Sequence, residues 1–149
     1  MTQQQIAHLQ LSSASDKLGE SLSAIRACVR EVSQVAGLDK KATDGLILAT
    51  DEIATNILNY GYNSNGIQGV LEVKAVLDDN NLTIIFEDTS PPFNPLERAF
   101  DLSQLDDPLE DRNIGGLGIK LAKDNVDKFD YTYANNRNHN IFIVKRPKH

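Results

Sequence analysis

The sequence predicts an α+β fold. The expected architecture is a two-layer α/β sandwich, with helices stacked on one face of a mixed, mostly antiparallel sheet. Three observations predict it. Two long stretches near the start repeat apolar residues every three or four positions. Paired short stretches joined by tight Asn- and Asp-rich turns follow. The element order is strand, two helices, two strands, a long loop with a helix, then two strands, with no repeated strand–helix–strand unit that would force a parallel sheet.

Ile6 to Leu11 alternates imperfectly and suits an edge strand. Ser15 or Asp16 is placed to cap a first helix running to about Ala36. Leu18, Leu22, Ile25, Val29 and Val32 form its buried stripe, with Cys28 on the same side as a small core residue. Gly37 suits the left-handed residue past its end. Asp39 can cap a second helix, with Leu46, Ile53 and Ile57 on one stripe. Asn59 to Gly69 reads as a loop. Val70 to Leu77 and Leu82 to Glu87 read as strands joined by a hairpin at 79–81. Residues 88–114, with four prolines and few apolar residues, read as a long functional loop or lid. Gly115 to about Val126 reads as a loop entering a helix. Phe129 to Tyr133 and Ile141 to Lys145 read as a closing hairpin through Asn135–Asn140.

Composition bounds the function. The chain has 149 residues, so the expectation is a single domain over residues 1–149, long enough to bury a core without staples. A net charge of -6 argues against a nucleic-acid binder. One cysteine, Cys28, excludes an intrachain disulfide and a cysteine metal cage. Apolar runs are too short for a membrane span, and the first residues lack a signal-peptide pattern, so the expected location is cytoplasmic. The charge is uneven. Residues 78–111 carry ten acidic residues and one basic, residues 1–77 a net -2, and residues 112–149 a net +5.

Three features can carry chemistry. Glu52, Asn56 and Tyr60 recur every four residues and share one helical face, offset by about 100° from the apolar stripe. Asp88 ends a strand and meets the turn Thr89-Ser90-Pro91-Pro92-Phe93. An ionised Asp is an acceptor only, so it can read an exocyclic amine such as that of adenine. Ile114-Gly115-Gly116-Leu117-Gly118-Ile119 runs into a helix, where glycines allow close backbone approach and the helix N-terminus attracts phosphate. It is neither the Walker pattern nor G-x-G-x-x-G. Each feature also has a plain structural reading: a solvated helix face, a turn-capping Asp, a glycine hinge with tight helix packing. His8, His139 and His149 lie far apart in sequence, which argues against a shared metal or catalytic role, and no G-x-S-x-G elbow is present.

In combination the features resemble the GHKL ATPases, the superfamily of gyrase, histidine kinases and mismatch-repair ATPases. Within it, the chain is most similar to stand-alone anti-sigma serine/threonine kinases of the RsbW type. The matching stretches are Asp51 to Asn56 through Tyr60-Gly61-Tyr62, Asp88 to Leu96, Arg112 to Ile119, and Asn140 to Lys145.

That resemblance implies the Bergerat-type, histidine-kinase-like ATPase fold, with ATP between the helices and the lid. It implies that Asn56 ligates Mg²⁺ bridging the phosphates and that Glu52 is the general base. Asp88 would read the adenine amine, with Ser90, Phe93 and Leu117 in the nucleotide-binding set. Gly115, Gly116 and Gly118 would cradle the phosphates and Arg112 would reach the terminal one. The implied partners are an anti-anti-sigma protein of the STAS type, phosphorylated on serine or threonine, and a sequestered sigma factor, with the chain as a homodimer. Neither nucleic acid nor membrane is an implied direct partner.

Two positions depart from the family pattern. Ser90 stands two residues after Asp88, where glycine is usual, and its side chain would crowd the nucleotide or restrict a positive φ. Tyr60 stands where many relatives carry a basic residue. Ser90 motivates the alternative of a non-catalytic partner-switching module of the same fold. A histidine-kinase fragment is a further alternative, disfavoured because no helix with an acceptor histidine precedes the domain. The acidic segment would repel a triphosphate, so Asp101, Asp106, Asp107, Glu110 and Asp111 are expected to face solvent or a partner.

Overall fold

The computed structural model describes residues 3–97 and 114–147. Five strands form one sheet: β1 (Gln4–Ser12), β2 (Val70–Leu77), β3 (Asn81–Asp88), β4 (Lys128–Ala134) and β5 (Arg137–Lys145). Their spatial order is β1-β2-β3-β5-β4, and every pairing between them is antiparallel. The expected mixed sheet is thus antiparallel among the described residues. Three helices accompany it: α1 (Leu18–Ala36), α2 (Lys40–Thr55) and α3 (Ile114–Asp124).

The helix-facing side of the sheet follows from strict alternation. Leu71, Val73, Ala75 and Leu77 on β2, Leu82, Ile84 and Phe86 on β3, and Phe142 and Val144 on β5 are all buried. Ile25, Val29 and Val32 of α1 and Leu46 and Ile53 of α2 meet them in the core. Phe142 stands edge-on to both Phe86 and Phe129, with ring centroids 5.3 and 4.8 Å away. Leu18, Leu22 and Cys28 are partly buried against the same cluster.

The caps divide. Gly37 is left-handed at φ 79°, and the Asp39 carboxylate accepts from Ala42 N at 2.8 Å. Neither Ser15 nor Asp16 caps α1. They lie in a 3₁₀ turn, Ser15–Lys17, and Lys17 occupies the cap position without a side-chain bond. The β2–β3 turn is held by Asp78, whose Oδ1 accepts from Asn80 N and Asn81 N at 2.8 and 2.7 Å.

Three expected loops are corrected. Residues 56–65 are helical: a π-helical stretch Asn56–Tyr62 continues α2, and a 3₁₀ turn Asn63–Asn65 follows. Ile57 and Tyr62, five residues apart as a π turn requires, are both buried. Asn65 Nδ2 donates to the carbonyls of Tyr60 and Gly61 at 3.1 and 2.9 Å, closing the end. The glycine segment is no loop before α3, because α3 already begins at Ile114. The final hairpin turns on Asn135 and Asn136 alone, both at positive φ (56° and 62°), so Asn138 and Asn140 belong to β5.

The opposite side of the sheet carries ions. Glu72 pairs with Arg137 and, at 3.4 Å, with His8 Nε2, while Glu87 meets Lys74 and Arg137 at 3.2 Å and His139 Nε2 at 3.4 Å. The fold therefore brings His8 and His139, remote in sequence, within 3.4 Å of carboxylates in one polar network that Arg137 links. No group of three metal-ligating side chains occurs among the described residues, nor any helix long and apolar enough to cross a membrane.

Candidate active site

The inner face of the sheet turns polar at one end. Asp88 closes β3 and stands opposite Asn138 of β5, and Asn140 lies two residues further along the same face. All three are buried, Asp88 being 1% exposed. A carboxylate so placed needs partners, and it has three, all on one oxygen. Asp88 Oδ1 accepts from Ser90 N at 3.0 Å, from the Ser90 hydroxyl, and from Asn138 Nδ2 at 3.0 Å. No described residue donates to Oδ2. Burial pushes the carboxyl above the usual range, and the bonds from Ser90 and Asn138 oppose it.

Ser90 does not sit at a positive φ, so a side chain there is unstrained. Its bulk is met by Gly61 in the π-helical stretch, where a Cβ would lie 2.8 Å from the Ser90 hydroxyl oxygen. The turn is fixed from behind by Tyr62. Its buried hydroxyl donates to Val70 O at 2.9 Å and accepts from Thr89 N at 2.8 Å. The close passage of Gly69 over the Tyr62 ring makes room for this, since a Cβ at Gly69 would fall 2.8 Å from Cζ.

The second group lies where α2 meets α3. Glu52, on the last turn of α2, is half-buried. Gly118 is buried against it, and a Cβ at Gly118 would lie 3.1 Å from Glu52 Cδ. A side chain at Gly118 would therefore displace the Glu52 carboxylate. Gly115, Gly116 and Leu117 lie in the first turns of α3, whose leading amides have no acceptor within the helix. The positive end of that helix is therefore brought to the Glu52 side of the fold.

Asn56, at the junction of α2 and the π-helical stretch, is half-buried one turn beyond Glu52. Tyr60, within the π-helical stretch, is 61% exposed. Phe93 is 48% exposed beside the Asp88 turn. Arg112 and the acidic residues Asp101, Asp106, Asp107, Glu110 and Asp111 lie outside the described residues.

The sequence reading missed Asn138 and Tyr131. The signal for Asn138 was the unbroken alternation Asn138, Asn140, Phe142, Val144, which marks the inward face of one strand even though its first two members are polar.

These features make two candidate sites: a buried acceptor suited to a ligand's hydrogen-bond donor, and a carboxylate beside the first turns of a helix. The polar groups fit a purine nucleotide, since Asp88 Oδ2 accepts no hydrogen bond from the described residues and the α3 amides offer positive charge. A comparison with family models matches residues 16–144 to the family described as "Histidine kinase-like ATPase domain". No curated protein matches the chain.

Proposed function

The chain belongs to the histidine kinase-like ATPase domain family, and we propose that it is an ATP-dependent serine/threonine kinase of the anti-sigma type. Domains of this family bind ATP, typically with Mg²⁺. The observation that carries the reading is the buried Asp88, with three hydrogen bonds on Oδ1 and none from the described residues on Oδ2, together with the Glu52–Gly118 contact between α2 and α3. Bound Mg-ATP supplies the transferable phosphoryl group and the charge neutralisation that its transfer needs.

Each residue then has one task. Asp88 accepts from the adenine amine. Asn56 offers an amide oxygen, a hard ligand suited to Mg²⁺. Ser90 holds Asp88, and Phe93 borders the base. The amides at Gly115, Gly116, Leu117 and Gly118 bind phosphate oxygens, with Arg112 on the terminal one. Glu52 accepts the proton of the attacking hydroxyl. The proposed substrate is a serine or threonine of a STAS-type anti-anti-sigma protein, the second partner a sigma factor, and the active form a homodimer in the cytoplasm. Transfer of the γ-phosphate to a STAS-domain protein, measured with wild type and Glu52→Ala, tests the reading. Loss of transfer in the variant is expected, and transfer at the wild-type rate removes Glu52 from the role of base.

A second reading, a partner-binding module of the same fold without chemistry, draws on Ser90. Its side chain fills space that a glycine would leave open, and its hydroxyl occupies a lone pair of Asp88. Calorimetric titration with Mg-ATP separates the two readings, because absent binding favours the second.

A further inference from the structure

The bond network behind Asp88 is directional. Asn138 is 2% exposed and uses both ends of its amide. Its oxygen accepts from Phe93 N at 3.2 Å and from the Tyr131 hydroxyl. A backbone N–H can only donate, so the oxygen must face Phe93 and the NH₂ must face Asp88. That NH₂ donates to Asp88 Oδ1 and to the Ser90 carbonyl, both at 3.0 Å, with the Pro91 carbonyl at 3.3 Å. Asn138 has no donor or acceptor left for a ligand. Its effect on a ligand passes through Asp88.

We propose that Asn138, oriented by Tyr131, is a positioning residue that sets base selectivity. By joining Ser90 in saturating Asp88 Oδ1, it leaves Oδ2 as the one reading atom, and that atom only accepts. The site then takes a purine bearing an amine at position 6 and rejects its 6-oxo counterpart, whose carbonyl would face a second acceptor. The inference rests on the reading of the site as a nucleotide site. Tyr131 contributes without touching the base, since its hydroxyl is a second donor, beside Phe93 N, that holds the Asn138 oxygen away from Asp88.

Equilibrium titration of the full chain with Mg-ATP and with Mg-ITP, which differ along the N1–C6 edge of the base (a 6-amine beside a bare N1 against a 6-carbonyl beside N1–H), tests this. Wild type, Asn138→Ala and Tyr131→Phe are compared. The triphosphate contacts are common to both ligands, so the affinity ratio isolates the base edge. Facing two acceptors forfeits a buried hydrogen bond, so wild type should favour ATP by about tenfold to a hundredfold. Asn138→Ala and Tyr131→Phe, which keeps the ring, should each lower the ratio by about threefold or more, even though Ser90 still holds Oδ1. Variants that weaken both ligands in parallel and keep the wild-type ratio overturn the inference alone, because a merely structural residue would behave so. Wild type that binds ATP and ITP equally overturns both the inference and the reading of Asp88. Wild type that binds neither overturns the nucleotide reading and the inference with it.

Discussion

Gly118 of α3 packs directly against the carboxylate of Glu52 on α2, so that a single methyl group there would lie 3.1 Å from Glu52 Cδ. Helix packing and the proposed general base therefore share one contact. Gly118→Ala should move the Glu52 carboxylate aside at a cost of no more than about 1 kcal/mol, because that carboxylate is the end of a flexible side chain, and should lower phosphoryl transfer by displacing it. In a Glu52→Ala background the same change should be neutral or stabilising, because alanine is the better helix former by about 1 kcal/mol. Thermal melts of the four proteins in this cycle give the coupling directly.

Asp88 links binding to a stability cost. Burial raises its carboxyl above the ordinary range, so the folded chain holds that proton more tightly than the unfolded chain does. Its ionisation therefore lowers stability as pH rises through the ordinary carboxylate range and beyond. Asp88→Asn keeps an acceptor for Ser90 and Asn138 without the buried charge. At pH 7 it should melt no lower than wild type, and above it if the charge cost dominates, while losing the preference for a 6-amino purine. Denaturation at pH 5 and pH 8 checks the sign: the difference in favour of the variant should be larger at pH 8.

Tyr62 ties the helical layer to the start of the Asp88 turn. Tyr62→Phe removes the partner of Thr89 N and a donor to Val70 O, and should cost about 1–3 kcal/mol in denaturant midpoints. Gly69→Ala should act on the same contact, so the two changes should be less than additive.

Glu72, on the outer face, titrates in the opposite sense. Bonds from Gln10 and from Arg137 hold its carboxyl down at about 2, against an ordinary value of 4.5. Its contribution is therefore present at neutral pH and lost as pH falls from about 4.5 toward 2. Glu72→Gln should lower stability at pH 7 by roughly 1–2 kcal/mol and flatten the acid limb of the stability profile in that window.

Residue pattern alone made most of the helical layer and the central hairpin legible. α1 and α2 are strongly amphipathic, Gly37 and Asp39 are clear stop and start signals, and β2 and β3 alternate cleanly. What escaped was fixed by tertiary contacts that oppose local preference. Asn and Gly between residues 59 and 66 argue for a loop, yet the buried Tyr62 and its bonds to Thr89 and Val70 hold the chain helical. Glycines at 115, 116 and 118 argue against a helix start, yet α3 begins there and sets Gly118 against Glu52. Asn138 and Asn140 read as turn residues because hydropathy marks the inner face of a strand only where that face is apolar. At the candidate site it is polar, so the functional end of β5 was the part least visible. Glu52, Asn56, Asp88 and Gly118 stand out in the sequence by type and spacing, and the roles given to them belong to the proposed function.

The most direct measurement is calorimetric titration of wild type and Asp88→Asn with Mg-ATP. Saturable binding by wild type, weakened at least about tenfold by a change that leaves the fold intact, is the predicted result. Equal binding by both proteins, or none by wild type, would contradict the placement of a nucleotide base against Asp88.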